Sequence, residues 1–260
     1  NNGEAVAGSV EMVAGWEKRS GEMRKARPAH LDLRYGLRER NRIDFFKAAD
    51  KAPTLLFIHG GYWQNGAKEV FSIFAEGPMA HGINVALTGY TLAPDATLDE
   101  IVAEIHAGID YLAGQLPALG AAYGGIIVSG WSAGGHLTSM ALSNPNVRAG
   151  MAISGIYDLE PIRHSYLNDK LKLDEAMSRR NSPMETAGGP IKPLSLVVGS
   201  GELPLLRKQT ADFAGHRVRH GLPVTYEEIP GADHFTILHE MMSPTGRITT
   251  LIRQLFERTA

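Results

Sequence analysis

One short segment of the chain, Gly130-Trp131-Ser132-Ala133-Gly134, has the residue types and spacing of a nucleophile elbow. A serine with glycine two positions away on either side can sit on a sharp turn between a strand and a helix, which exposes its hydroxyl at the edge of a sheet. Glycine is common in this chain, at 29 of 260 residues, so the glycines alone are weak evidence. A β-branched run at 126–128 and a helix-forming run at 135–142 supply the required context. Ser132 is therefore the predicted nucleophile.

A second segment joins a buried-strand pattern to a glycine turn. The apolar run at 54–58 suits a parallel strand covered on both faces, and it leads into His59-Gly60-Gly61-Tyr62-Trp63. Backbone amides after such a strand can hold an oxyanion together with the amide that follows the nucleophile. We assign this role to Gly61 and Tyr62 on the loop and to Ala133 after the serine. A plain glycine turn is the alternative, because Gly-Gly marks many loops.

The general base is predicted to be His234, which lies between a strand pattern at 224–229 and the last predicted helix. A loop at the end of that strand can place an imidazole over the serine. His59 and His136 are expected to hold the loop and the elbow in shape through hydrogen bonds. Five other histidines are interpreted as ordinary surface or core residues: His30, His81, His106, His216 and His220.

The acid of the expected triad is Glu202, the only carboxylate in the turn that follows the strand pattern at 194–198. A carboxylate there can fix the histidine tautomer and stabilise the imidazolium, and the chain order of serine, acid and histidine is the one typical of such sites. Two alternatives stay open. Asp158, after the strand pattern at 150–154, is a rival acid, and Glu202 could instead favour the start of the helix near Pro204.

Composition restricts the classes of protein and of partner. The 260 residues are enough for a large core in one α/β domain spanning 1–260, and no linker interrupts them. A net charge of −2 gives no electrostatic reason to expect nucleic acid or an anionic membrane, and without cysteine there is no disulfide or thiolate metal site. No apolar run has the length of a membrane span, and 1–13 lacks the pattern of a secretory signal. We expect a cytoplasmic protein with a small-molecule substrate, and we leave the oligomeric state open, a homodimer being one option.

The order of the elements predicts how these residues meet. A helix at 12–26 and an antiparallel edge pair at 30–35 and 42–47 come first. Strands then follow at 54–58, 84–88, 125–129, 148–154, 194–198 and 224–229. Helices are expected at about 67–80, 98–115, 133–143, 205–220 and 245–258. This alternation predicts a mostly parallel eight-stranded sheet flanked by helices, with the ligand at the carboxyl ends of the strands.

Together these residues resemble the α/β-hydrolase fold, and within it the branch related to hormone-sensitive lipase. The segment from His59 to Trp63 is similar to the His-Gly-Gly-x-Trp motif of kynurenine formamidases (arylformamidases) and related bacterial esterases. The resemblance runs from about residue 30 to the end, through three further segments at 90–94, 154–159 and 179–183. The chain departs from the family at Glu202, where the better-known formamidases carry aspartate.

The resemblance implies hydrolysis through an acyl-enzyme, without a metal or an organic cofactor. The leading hypothesis is cleavage of a small amide or formamide of an aromatic substrate such as N-formylkynurenine. A carboxylesterase for short-chain acyl esters is the second hypothesis, and a catalytically silent hydrolase fold that acts as a binding module is the third. Because the segment 158–192 is short for a lid, we expect little or no cap over the site. Residues 1–29 and the loop at 164–172 are then expected to provide its main cover, which leaves the pocket fairly open.

Four residues are predicted to contact the substrate: Trp63, Trp131, Tyr157 and His164. The two tryptophans flank the proposed oxyanion donors and the nucleophile, so they concentrate aromatic surface near the reacting carbonyl. The alternative for both is that they pack inward and brace the loop and the elbow, because large aromatic residues are usually mostly buried.

Overall fold

The computed structural model describes residues 6–27, 29–122, 124–186 and 190–259. Its strands form one sheet in the order β1-β2-β4-β3-β5-β6-β7-β8. The bounds of these strands are β1 (Ala29–Arg34), β2 (Arg42–Phe46), β3 (Thr54–Ile58), β4 (Asn84–Thr88), β5 (Ile126–Trp131), β6 (Val147–Ile153), β7 (Leu194–Gly199) and β8 (Val224–Ile229).

The sheet is mixed. Strands β3 to β8 run parallel to their neighbours, whereas β2 is antiparallel to β4 and β1 is antiparallel to β2. The register aligns the carboxyl ends of the parallel strands, since Ile58 pairs with Gly130 and Trp131 pairs with Ile153. The loops that follow β3, β5, β6, β7 and β8 therefore meet at one edge of the sheet.

Helices cover both faces of this sheet. The described α-helices are α1 (Ser9–Ala26), α2 (Glu76–Ala80), α3 (Leu98–Gln115), α4 (Ala133–Ala141), α5 (Glu160–Arg163), α6 (Asn168–Leu171), α7 (Glu175–Arg180), α8 (Pro204–Arg219), α9 (His239–Met242) and α10 (Arg247–Arg258). Short 3-10 segments lie at Lys68–Ala75, Pro183–Glu185 and Thr236–Leu238. Among the described residues no helix combines the length and the apolar character needed to cross a membrane.

The alternation of side chains along β3 explains its continuous apolar sequence. Leu55 and Phe57 join the core on one face of the sheet, while Leu56 and Ile58 join the core on the other face. Successive side chains of a strand point to opposite faces, so a strand covered on both sides needs apolar residues at every position. All five residues of β3 are buried.

Helix α1 is fastened to the 3-10 segment Lys68–Ala75 and to the sheet. The Ser20 hydroxyl donates a hydrogen bond to the Val70 carbonyl (2.8 Å) and accepts one from the Ile73 amide (2.9 Å). Arg24 forms an ion pair with Asp44 of β2, which is fully buried and also accepts from Lys68 (2.9 Å). Of the predicted covering segment 1–29, residues 1–5 and 28 lie outside the described residues, and the helix itself is held against the fold by these contacts.

Candidate active site

The turn between β5 and α4 has the geometry of a nucleophile elbow. Ser132 has a φ of +58°, a conformation that side chains other than glycine rarely adopt and that is often found at functional sites. A Cβ at Gly130 would collide with the carbonyl of Gly134, and a Cβ at Gly134 would collide with the carbonyl of Ile58. Both positions therefore need glycine because the turn packs directly against itself and against β3.

Ser132, His234 and Glu202 form one continuous chain of hydrogen bonds. The Nε2 atom of His234 lies 3.1 Å from the Ser132 Oγ, and its Nδ1 lies 2.7 Å from the Glu202 Oε2. All three side chains are buried. A carboxylate on Nδ1 leaves Nε2 free to accept the serine proton, and it stabilises the imidazolium that results. The arrangement can activate the hydroxyl as a nucleophile.

The second oxygen of Glu202 is also held. Its Oε1 accepts hydrogen bonds from the Gly199 amide (2.9 Å) and from the Ser154 hydroxyl. Ser154 directly follows β6, is fully buried and has a φ of +52°. Sequence reasoning missed Ser154, although its place at the carboxyl end of the strand beside β7 was a usable signal. The longer side chain of a glutamate is thus fixed at both oxygens.

Neither alternative to this arrangement of the acid matches the geometry. Helix α8 has no side-chain cap, so Glu202 does not cap it. Asp158 accepts a hydrogen bond from the Glu160 amide (3.0 Å) and lines a separate polar depression together with Glu160 and Arg179. The structure brings Glu202, and not Asp158, to His234.

The loop after β3 carries three consecutive residues with positive φ: Gly61 at +115°, Tyr62 at +53° and Trp63 at +59°. The Gly61 carbonyl accepts from the amides of Gln64 (3.0 Å) and Asn65 (2.9 Å), which closes a tight turn. Gly61 and Tyr62 line the same cavity as Ser132. Ala133 is the first residue of α4, where backbone N–H groups have no carbonyl partner inside the helix. The three predicted oxyanion donors thus lie on two elements that meet at Ser132.

Two further buried histidines support these elements. His59 stacks on Tyr90 with ring centroids 4.4 Å apart, and its Nδ1 donates to the Gly60 carbonyl (2.8 Å). His136 on α4 bonds to Trp63 and to the Asn181 carbonyl. Burial lowers the pKa of each of these two histidines to about 4. Both rings are therefore neutral near pH 7, in agreement with the predicted bracing contacts.

Ser132 opens into an apolar cavity of about 230 Å³. Its walls come from α1, the segment Lys68–Ala75, the loop after β3 and the loop after β8. The side chains that form these walls are Val13, Tyr62, Asn65, Val70, Phe71, Trp131 and Phe235. Val13 belongs to α1, so this helix contributes to the wall of the cavity. A larger polar depression of about 340 Å³ lies elsewhere, around Lys68 and its carboxylate partners, and holds no nucleophile.

Of the four predicted substrate contacts, Trp131 alone lines this cavity. Trp63 is fully buried with its indole N–H on His136, as in the inward-packing alternative. Tyr157 is fully buried against Phe213, with ring centroids 4.6 Å apart. His164 is exposed and contacts Glu160 (3.0 Å). The placement of these last three side chains does not fit the expected contact with substrate.

No group of three or more histidine, aspartate or glutamate side chains within the described ranges is arranged to hold a metal ion. The groups that the described site offers for chemistry are a hydroxyl, an imidazole, a carboxylate and backbone amides.

Known structures with the same architecture define the class of the protein. A structure from Silicibacter sp. tm1040 superposes with a TM-score of 0.88 at 25% identity, covering 97% of this chain and 96% of that chain. An esterase from Pyrobaculum calidifontis superposes with a TM-score of 0.77 at 18% identity, covering 96% and 94%. The fold is that of the α/β-hydrolases.

Sequence comparison narrows the class to a family. The BD-FAE family model matches residues 45–178, which include the loop after β3 and the elbow. Kynurenine formamidase from Salmo salar is 30% identical over 249 residues, covering 88% of this chain and 82% of the relative. The chain belongs to the BD-FAE family, is related to the kynurenine formamidases and is a hydrolase.

Proposed function

We propose that the chain hydrolyses a small formamide of an aromatic substrate through an acyl-enzyme on Ser132. The observation that carries this proposal is the hydrogen-bonded chain from the Ser132 Oγ through His234 to Glu202 at the mouth of the apolar cavity. Relatives of this chain that are named kynurenine formamidase support the choice of a formamide. The rings of Phe71, Trp131 and Phe235 in the cavity wall suit a planar aryl group.

The reaction follows from the positions of these atoms. His234 Nε2 takes the proton of Ser132 as Oγ attacks the formyl carbon, and the carbonyl oxygen becomes an oxyanion held by the amides of Gly61, Tyr62 and Ala133. When the tetrahedral species collapses, the C–N bond breaks and His234 returns the proton to the leaving amine. Water, deprotonated by His234, then attacks the formyl ester, which releases formate and restores the serine. Each well-placed amide stabilises the tetrahedral state by about 3 kcal/mol.

A carboxylesterase for short-chain acyl esters is the second candidate. Among the described residues that line the cavity, His234 is the one titratable side chain apart from the tyrosine, so a neutral acyl or aryl group is the natural occupant. The same catalytic steps cleave an ester, with an alcohol as the leaving group. The absence of a separate lid among the described residues around this cavity supports an open site with little or no cap for either substrate.

Steady-state kinetics on matched substrates tests the proposal. N-formylkynurenine and formanilide should show a higher kcat/KM than any alkyl butyrate, because the aromatic walls favour an aryl leaving group. Rapid turnover of a short-chain ester with no cleavage of either formamide would assign the chain to the carboxylesterases. Failure of a fluorophosphonate to label Ser132 would instead favour a silent binding module.

A further inference from the structure

One hydrogen bond links the loop after β3 to helix α4, which begins directly after Ser132. The indole N–H of Trp63 donates to the Nδ1 of His136 over 3.2 Å. The two rings meet edge to face, with centroids 5.0 Å apart and planes 89° apart. Both side chains are fully buried, so no water competes for this contact.

The partners of His136 fix its chemical state. Its Nε2 lies 2.7 Å from the Asn181 carbonyl, which can only accept, so Nε2 carries the ring proton. The indole of Trp63 can only donate, so Nδ1 must keep its lone pair. Burial holds the pKa of His136 at about 4, and the ring therefore stays in this neutral form near pH 7. His136 is matched to Trp63 as an acceptor and has no role as a base.

The loop that carries Trp63 needs such a restraint. Tyr62 and Trp63 both have a left-handed backbone, and two consecutive non-glycine residues hold that conformation only when their surroundings enforce it. The Trp63 carbonyl accepts from the Ala93 amide (2.8 Å), and its indole is bound by His136. Trp63 is thus fixed through both its backbone and its side chain, directly after the two proposed donors of the loop.

The elbow side is equally rigid. The His136 amide donates to the Ser132 carbonyl (3.1 Å), so His136 lies one helical turn after the nucleophile. Ala133 is held between them as the first residue of α4. A contact between Trp63 and His136 therefore joins the two elements that carry the two halves of the oxyanion hole.

We propose that Trp63 and His136 are positioning residues that set the separation between the amides of Gly61 and Tyr62 and the amide of Ala133. This inference rests on the proposed function, because it assigns those amides to the oxyanion. Such donors act only when they are aimed at the position that the oxyanion occupies, and a displacement of about 1 Å can cost as much as ~100-fold in rate. Trp63 thus acts on the transition state without touching the substrate.

The first test removes the indole N–H. In Trp63→Phe we expect kcat for formanilide to fall roughly 10- to 100-fold with little change in KM. Affinity for an aryl trifluoromethyl ketone, which adds Ser132 to form an anionic tetrahedral adduct, should fall by the same factor. The matched control is Phe213→Leu, at a buried aromatic ring that packs on Tyr157 and does not line the cavity around Ser132. It should lower the thermal unfolding midpoint in a similar way and leave the ratio of ketone affinity to KM unchanged.

The second test changes the acceptor. His136→Gln can accept from Trp63 and donate to Asn181, so it should retain most of kcat, whereas His136→Leu should match Trp63→Phe. The double variant Trp63→Phe with His136→Leu should be no worse than either single variant, because both remove one contact. This pair of His136 variants decides the question if Trp63→Phe does not fold.

Three results would overturn the inference. The first is a folded Trp63→Phe with wild-type kcat and ketone affinity, the second is equal loss in His136→Gln and His136→Leu, and the third is additive losses in the double variant. After any of these three results, turnover of formanilide by the wild-type chain would still support the proposed function. A wild-type chain that neither turns over the substrates nor binds the ketone would overturn both.

Discussion

The elbow is flanked by two regions that each pair a tryptophan with a histidine, and the two pairs are connected differently. On one face of the sheet, Trp63 donates to the imidazole of His136, whose other nitrogen is bound by a backbone carbonyl. On the other face, Trp131 donates to the backbone carbonyl of His234 (2.8 Å), and its indole N–H makes no hydrogen bond to the imidazole nitrogens. Both histidines are buried beside Ser132, so burial alone does not determine their roles.

The difference lies in what each ring can do with a proton. The His234 ring faces a hydroxyl that can give up a proton and a carboxylate that stabilises the charged form. The His136 ring faces an indole donor on Nδ1 and an amide carbonyl on Nε2, and burial outweighs the favourable effect of that carbonyl on the charged form. The first region is built to move a proton and the second is built to keep one in place. The following predictions are ordered by the size of the expected effect.

The largest effect should come from the nucleophile that both regions support. Ser132→Ala should lower kcat by about 10⁴ or more, because the hydroxyl is the only covalent participant and the oxyanion hole and binding supply the residual rate. The thermal unfolding midpoint should stay close to that of the wild type, since alanine removes only the hydroxyl. More than a tenth of wild-type kcat, in a preparation free of host esterases, would contradict the assignment.

The acid should come next. Glu202→Gln should lower kcat by roughly 10³- to 10⁴-fold, because an amide cannot stabilise the imidazolium of His234. Asp158→Asn is the matched control and should keep wild-type kcat, since Asp158 does not contact His234. If the two variants lost activity in the reverse order, the role would pass to Asp158.

The pH dependence of stability should distinguish the buried His136 from an exposed histidine. The pKa of His136 is about 4 in the folded chain because of burial, against about 6.5 when the ring is solvated. The unfolded chain therefore binds the extra proton first, and stability falls as the pH drops from about 6.5 towards 4. At pH 5 this one histidine lowers the free energy of unfolding by an amount on the order of 2 kcal/mol.

Denaturant unfolding at pH 7 and at pH 5 measures this effect. His136→Gln should lose less stability between the two pH values than the wild type, because it removes one buried titrating group. His30→Gln, at an exposed histidine on β1, should behave like the wild type. Equal pH dependence in all three chains would show that His136 is not held neutral by its surroundings.

A smaller effect is expected at Ser154, which positions Glu202. Ser154→Ala removes one of two donors to the Glu202 Oε1, and the Gly199 amide remains, so kcat should fall about 10-fold with KM little changed. Ser195→Ala on β7 is the control, a buried serine that binds Thr225 (2.9 Å) and should leave kcat unchanged. Equal activity in both variants would remove Ser154 from the positioning of the acid.

No effect is expected from a chelator. Activity should survive exhaustive treatment, because every step of the proposed mechanism uses side chains and backbone amides. Loss of activity that zinc or manganese restores would contradict the serine mechanism. The comparison of His234 with His136 would then fail, because His234 would no longer be needed as the base.

The sequence predicted the strands well because their physical signal is local. The bounds of β3, β4 and β8 match the structure, since each is a short β-type run between turn residues, and the elbow and both partners of Ser132 follow from their places at strand ends. The ends of β5 and β6 differ by one or two residues, because strand ends depend on pairing with the neighbouring strands.

What could not be predicted depends on contacts between distant segments. The short helices between Glu160 and Arg180 have too few turns to show a periodic pattern, and they were missed. The inward direction of Trp63 and Tyr157 follows from their partners His136 and Phe213, which lie more than 50 residues further along the chain. The anchoring of Glu202 by Ser154 likewise joins two loops that only the sheet brings together.

Helix α1 gives the cavity a wall through Val13, yet it supplies none of the groups that move protons or bonds. The reactive groups sit on loops at the edge of the sheet, while α1 is attached from outside through Ser20 and Arg24. One wall of the cavity is therefore carried by an element that is separate from the reactive groups. A library of substitutions along the inner face of α1 can redraw the range of accepted substrates while the rate-determining chemistry stays as it is.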